Sequence, residues 1–141
     1  MAVTSEATTL WNGDLRSGAG TTKLDSSAAG EFPVSWAARA EGVAAKTNPE
    51  ELLGAAHSAC YSMAIANALA EFGAPPQSVQ VTAAVTFDPA EGITGSHLLV
   101  SAKVAGISEQ DFERIAVEVM KTCPVSRALA GIPITLEANL A

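Results

Sequence analysis

Charge is scarce in this 141-residue chain: Asp, Glu, Lys and Arg make up 16% of it, against roughly 25% in an average soluble protein. So few charges cannot wet the whole surface of a monomer, which predicts a surface covered by a second chain, most simply in a two-fold dimer. No run of Lys or Arg appears anywhere, and the net charge is −7. That balance excludes nucleic acid as a partner, because phosphate binding rests on positive charge. The N-terminal MAVTSEATTLWNGDL lacks a basic segment followed by an apolar one, so no signal peptide is expected and a cytoplasmic location follows. The longest apolar stretch carries Glu51, His57, Asn67 and Glu71, which predicts a core helix and no membrane span. Histidine and cysteine are each limited to two, His57, His97, Cys60 and Cys123, and their spacing matches no zinc site; neither metal nor cofactor is expected. In a cytoplasmic chain such cysteines are more often free, catalytic or redox-active than locked in a permanent disulfide. Repeats, charge blocks and linkers are missing too, so one domain over residues 1–141 is expected, of a size able to bury a proper core.

What is present reads as alternating short strands and two helices. Residues 8–14 and 20–24 predict strands around a Gly/Ser-rich turn. Residues 30–39 predict a third, since Phe32, Val34, Trp36 and Ala38 alternate with smaller or polar residues. A loop over 42–47 leads into a long helix whose signals are Asn48 as N-cap, Pro49 at the first position, and Glu50 and Glu51 at the positive end of the dipole. Glu51 stands where a capping box places its acid, and Gly73 with Pro75 and Pro76 ends the helix. Residues 79–87 alternate as a strand, 89–92 turn, and 97–104 return. Ser108 caps a second helix with Asp111 at the box position and Phe112, Ile115, Ala116 and Val119 as its apolar stripe. Pro124 ends it near Thr122; a short turn or helix at 125–129 precedes a last strand at 134–139. The order β-β-β-α-β-β-α-β lacks regular βαβ alternation and predicts an α+β fold with a largely antiparallel sheet.

Alanines cover the long helix on nearly every side, the mark of a central helix, and Cys60 lies among them. Its thiol serves packing as a small hydrophobe, or it does chemistry. Cys123, in KTCPVSRAL, sits where a helix breaks before proline, so its thiol leaves regular structure and is free to move. One rigid and one hinge-borne thiol suit an attacking and a resolving cysteine. An attacking sulfur must be ionised, whereas apolar burial raises its pKa. The helix dipole fades before reaching Cys60, so a cation is needed. His57 shares the face of Cys60 but is more often a satisfied structural residue in such a place. Arginine stays charged when buried, and the candidates are Arg16, Arg39, Arg114 and Arg127, with Arg114 expected in solvent.

The stretch KTNPEELLGAAHSACYSMAI and the later CPVS, with WNGDLRSGAGT near the N-terminus and ARAEG ahead of the helix, resemble the osmotically inducible protein C (OsmC) branch of the OsmC/Ohr family over nearly the whole chain. Lys46 departs from the glycine that often precedes TNPE in that family. The resemblance implies an OsmC-like fold, with a long central helix packed on mostly antiparallel sheet in an intertwined homodimer. It implies a thiol-dependent peroxidase that reduces organic hydroperoxides, and often hydrogen peroxide, to alcohols or water. Cys60 then corresponds to the peroxidatic cysteine and Cys123 to the resolving one, joined as a Cys60–Cys123 disulfide and recycled by an external dithiol, a dihydrolipoyl group of a lipoylated protein. Glu50 matches the family's site glutamate and Arg39 the arginine of the OsmC branch; Ohr-type members draw theirs from the N-terminal loop, where Arg16 lies. Ten residues separate Glu50 from Cys60, about 15 Å along a helix and roughly 80° around it. The two cannot meet within one chain, so a shared site predicts that Glu50 arrives from the partner protomer. Two rival readings use the same residues: a redox sensor without catalytic turnover, and an apolar-ligand domain whose cysteines only pack.

Overall fold

In the computed structural model, which describes residues 1–141, the Thr- and Gly-rich N-terminal stretch forms an antiparallel meander of β1 (Ala7–Asn12), β2 (Ala19–Leu24) and β3 (Glu31–Val34). Asp14 organises the β1–β2 turn by accepting hydrogen bonds from the Ser17 backbone N–H and hydroxyl, each at 2.7 Å. Gly18 closes that turn because a Cβ there would stand 2.2 Å from the Asp14 carbonyl oxygen. The strand predicted over 30–39 is cut short. After Val34 the chain turns into a helix, α1 (Trp36–Ala40), whose N-cap Ser35 accepts from the Ala38 N–H at 3.1 Å. The alternation of Phe32, Val34, Trp36 and Ala38 extends past the strand, but the Ser35 hydroxyl satisfies an N–H that a helix start leaves open. Asn48 donates its side-chain amide to the Ala38 carbonyl at 3.0 Å. Together with Thr47 N–H to Pro33 O at 2.8 Å, this bond holds the loop after α1. This part of the chain, Met1–Pro49, is one of two compact units.

The second unit, Glu50–Ala141, contains nearly all of α2 (Pro49–Phe72), followed by β4 (Ser78–Asp88), β5 (Gly92–Lys103), α3 (Glu109–Thr122), α4 (Pro124–Ala128) and β6 (Ile134–Leu140). Strands β4 and β5 form a hairpin, and β6 joins β5 in parallel, from Ser96↔Ile134 to Ala102↔Leu140. A parallel neighbour requires a crossover, and α3 and α4 supply it. The fold is thus mixed α+β with two three-stranded sheets, ordered β1-β2-β3 and β4-β5-β6. Three of the four strand pairings are antiparallel, as expected, but they do not belong to one sheet.

One face of the second sheet is packed and the other is open. Ser96, Leu98, Val100 and Ala102 of β5 are buried, while His97 and Leu99 between them are exposed, the period-2 pattern of a half-covered sheet. Over the buried face lie Tyr61, Ile65 and Leu69 of α2 and Phe112, Ile115, Ala116 and Val119 of α3, forming one apolar cluster. Tyr61 reaches between the helices and donates its hydroxyl to the Ala116 carbonyl at 2.8 Å. Gly54 lets α2 approach the sheet: a Cβ there would lie 2.8 Å from the backbone oxygen of Ala83 on β4.

The expectation that α2 is enclosed on all sides does not hold for the single chain. Its buried residues are Glu50, Gly54, His57, Tyr61, Ile65 and Leu69, a stripe at helical spacing, whereas Ala55, Ala59 and Met63 are exposed. The N-cap expected at Ser108 is present, accepting from the Asp111 N–H at 3.1 Å. Strand β5 starts at Gly92, earlier than the sequence pattern suggests, because residues 92–96 pair without apolar alternation.

Candidate active site

Cys60 stands about three turns into α2, half-buried, and Cys123 lies at the joint between α3 and α4, 1% exposed. The joint arises because Pro124 cannot continue α3 and instead takes the first position of α4, where a missing N–H costs nothing. Cys123 therefore adopts φ −51° and ψ 126°, which turns its side chain inward. Its peptide groups are tied on both sides, with its N–H to Val119 O at 2.9 Å and its carbonyl accepting from Arg127 N–H at 3.0 Å. The joint expected to be loose is instead hydrogen-bonded on both sides.

The two sulfurs are 3.2 Å apart and both are free thiols. That is about 1.2 Å beyond the bonded length of ~2.05 Å. Thiols this close titrate as a pair, in which the first proton lost leaves one negative charge between them. Burial pushes the Cys60 thiol up, and the hydrogen bond and charge of Cys123 push it further, against the Val125 N–H. Cys123 moves down: burial opposes its ionisation, but the Ser126 N–H, the Cys60 thiol, the Ser126 hydroxyl and the Val125 N–H outweigh it. The contacts of this unit thus favour charge on Cys123 over charge on Cys60. The Tyr61 hydroxyl is pushed well up, by burial first and then by the charge on Cys123.

His57 does not act on Cys60. It is fully buried, with Nδ1 2.7 Å from Ser96 Oγ and Nε2 2.8 Å from Ser126 Oγ, and burial lowers its pKa, which keeps the ring neutral. Glu50 lies in the first turn of α2 and is 5% exposed; no buried side-chain nitrogen or oxygen lacks a partner. Glu50 and Cys60 share one unbroken helix, so the separation of about 15 Å along its axis stands. Arg39 occupies the last turn of α1, in the first unit. Arg114 is exposed and pairs with Asp111 at 3.3 Å, and Arg127 borders a shallow cavity of about 400 Å³ with Met120, Ser126 and Ile134. No three His, Cys, Asp or Glu side chains converge as metal ligands would. Ser96 and Ser126, the two buried partners of His57, and Tyr61 carry no functional signal in the sequence, apart from Ser126 as the last residue of CPVS.

Comparison with known proteins agrees with this arrangement. The family model described as OsmC-like protein matches residues 42–137. The chain is 37% identical to peroxiredoxin OsmC of Escherichia coli over 143 aligned positions, covering 99% of each protein. It is 32% identical to the organic hydroperoxide resistance protein OhrA of Bacillus subtilis, over 70% of this chain and 72% of that one. Among solved structures, an OsmC-like protein of unknown function from Vibrio cholerae superposes with a TM-score of 0.75 at 18% identity, covering 98% of this chain and 100% of that one. The organic hydroperoxide resistance protein OhrB of Bacillus subtilis gives 0.68 at 20% identity, over 99% and 98%; at such identities these two attest to the fold. A long helix carrying one thiol, a proline-broken joint carrying another, and full-length similarity to a curated relative lead to one conclusion: the chain belongs to the OsmC-like protein family.

Proposed function

We propose that the protein is a thiol-dependent peroxidase that reduces organic hydroperoxides, and hydrogen peroxide as a smaller substrate, through Cys60 and Cys123. One observation carries this reading: two free sulfurs 3.2 Å apart, one half-exposed and the other buried. The exposed thiol is within reach of a peroxide, and the buried one within reach only of the first. The names of the curated relatives, a peroxiredoxin and an organic hydroperoxide resistance protein, support the same chemistry.

In the first step the Cys60 thiolate attacks the distal oxygen of the hydroperoxide. The O–O bond breaks, the alkoxide takes a proton and leaves as alcohol, and Cys60 becomes a sulfenic acid. The Cys123 sulfur then attacks the Cys60 sulfur; the S–S bond forms as the S–O bond breaks, and hydroxide leaves to be protonated to water. An external dithiol restores both thiols by exchange and is itself oxidised to a disulfide; a dihydrolipoyl group on a lipoylated protein is the donor that the family suggests. The alanines around Cys60 would accept an alkyl chain.

The first step needs the anion on Cys60, whereas the groups of its own unit draw it to Cys123. A guanidinium beside Cys60 would reverse that preference, and Arg39, oriented by Glu50, is the residue we assign; Arg16 is the alternative. Because Glu50 and Cys60 are far apart on one helix, Glu50 of each chain would serve the thiol pair of the other. This makes two composite sites in an intertwined homodimer, which would also cover the exposed alanines of α2. Alignment with a relative over 99% of each chain supports treating residues 1–141 as one functional domain, and a cytoplasmic location suits a cycle that runs on reduced thiols. No helix is long and apolar enough to cross a membrane.

Mass spectrometry after one equivalent of cumene hydroperoxide tests the reading: the wild type yields a Cys60–Cys123 disulfide, Cys123→Ser retains a sulfenic acid on Cys60, and Cys60→Ser takes up no oxygen. Turnover with excess hydroperoxide and dithiol separates an enzyme from a redox sensor, which would react once per chain and stop. In mixed dimers, Glu50→Ala and Cys60→Ser chains together should regain one competent site; no recovery would count against a cross-protomer Glu50.

A further inference from the structure

The two sulfurs differ in what can reach them. Cys123 is 1% exposed and belongs to the apolar cluster of Tyr61, Ile65, Phe112 and Val119, whereas Cys60 packs against that cluster and keeps part of its surface in solvent. The neighbours of Cys123 hold it in place. Its N–H reaches Val119 O at 2.9 Å and its carbonyl accepts from Arg127 N–H at 3.0 Å, so swinging it outward would break both bonds. The cavity of about 400 Å³ beside α4 is lined by Ser126 and Arg127 but does not reach Cys123. Thiol–disulfide exchange is an in-line displacement, and its rate depends on which sulfur the entering thiolate can approach. Once Cys60 and Cys123 are bonded, entry at Cys123 requires a thiolate inside the cluster. Close packing leaves no void of that size, and an anion brought unpaired into apolar surroundings is costly. Entry at Cys60 starts from solvent.

Building on the peroxidase reading, we propose that the recycling thiol enters at Cys60, so that each turnover passes through a mixed disulfide between Cys60 and the donor, while Cys123 is the leaving thiolate and never bonds to a molecule from outside. In the first exchange the donor thiolate forms an S–S bond to Cys60, the Cys60–Cys123 bond breaks, and Cys123 leaves with the electron pair. In the second, the donor's other thiolate attacks the donor sulfur of the mixed disulfide. That S–S bond breaks, Cys60 leaves as thiolate, and the donor departs as a cyclic disulfide. Two electrons pass from dithiol to protein, and the two protons the dithiol gives up balance those that the protein thiolates take back. The contacts that favour charge on Cys123 ease its departure, since a thiol of lower pKa leaves faster. Cys60 thus meets hydroperoxide and reductant in turn, and the buried sulfur works only as its internal partner.

The test uses the wild-type protein, oxidised with diamide to close the thiol pair without any hydroperoxide and then freed of the oxidant. It is mixed with 2-mercaptoethanol, acid-quenched at early times and digested with pepsin, and mass spectrometry maps which cysteine carries the mercaptoethanol. The thiol is supplied in rising concentrations, because Cys123, 3.2 Å from Cys60, attacks the adduct back at a high effective concentration. The expected result is an adduct on Cys60 that exceeds the adduct on Cys123 by about tenfold or more at the earliest times. Equal shares, or an adduct mainly on Cys123, overturn the proposal, and so does a pair that diamide cannot close. No variant is needed, so a failure to fold cannot imitate any of these results. A parallel sample receives one equivalent of cumene hydroperoxide in place of diamide. Closure by diamide but not by hydroperoxide refutes the peroxidase reading instead and leaves the adduct map to judge the point of entry.

Discussion

Gly54→Ala sets two well-characterised effects against each other. Alanine in the body of a helix gains about 1 kcal/mol over glycine. At Gly54, however, the added Cβ would stand 2.8 Å from the Ala83 carbonyl oxygen, whereas ordinary contact begins at 3.4 Å. The obstacle is backbone inside a sheet, so α2 and β4 must separate by about 0.6 Å, and overpacking of this kind costs about 1–3 kcal/mol. His57 lies one turn further along α2 and is bonded across to Ser96 at 2.7 Å. The same displacement takes that bond past the usual ~3.2 Å limit and forfeits about 1 kcal/mol more. The balance is a destabilisation of about 1–3 kcal/mol, or roughly 2–10 °C in Tm for a chain of this size. Thermal and urea denaturation by circular dichroism, at fixed protein concentration because association also stabilises, would measure it. A variant as stable as wild type, or more so, would mean that helix propensity wins and that the helix does not approach the strand as closely as described.

Arg39→Ala should raise the pH at which Cys60 ionises, read by thiolate absorbance in Cys123→Ser, since burial alone pushes that thiol up; an unchanged titration would remove Arg39 from its assigned role. Tyr61→Phe deletes the 2.8 Å hydrogen bond to Ala116 O and should cost about 1 kcal/mol, with no loss in urea denaturation counting against the α2–α3 bridge. For His57 the folded pKa is lowered by burial from 6.5, so its contribution is whole above that pH and is lost as the pH falls beneath it, because the unfolded chain takes up the proton first. The denaturation midpoint should therefore fall between pH 7 and pH 5 by more in wild type than in His57→Gln. Equal slopes would show that the ring protonates as readily in the fold as outside it.

Local signals in the sequence mapped well onto the structure. Pro49 and Gly73 bracket α2, Ser108 and Asp111 open α3, and Pro124 breaks the chain at Cys123; each acts through its own backbone or its nearest neighbours. The five-residue α1 was hidden because an apolar alternation of four positions looks the same in an extended strand and in a single turn of helix. The direction of β6 could not be read, since a strand's side-chain pattern is identical beside a parallel or an antiparallel neighbour. Nor could the surroundings of the thiols. Cys60 and Cys123 are 63 positions apart, and His57 and Ser126 are 69 apart, so only the crossover through α3 and α4 brings them together. His57 itself was read as a structural histidine from its place on an apolar face, and its two hydroxyl partners account for that burial.

The fixing of Cys123 bears on how the protein would survive its own substrate. A sulfenic acid left waiting meets a second peroxide and is carried to sulfinic acid, a dead end for most thiol enzymes. If Cys123 resolves that intermediate as proposed, a sulfur anchored by its neighbours on both sides and already 3.2 Å away would compete for it from within the site. In the proposed cycle the proline-broken joint would serve as insurance against suicide inactivation when hydroperoxide is abundant.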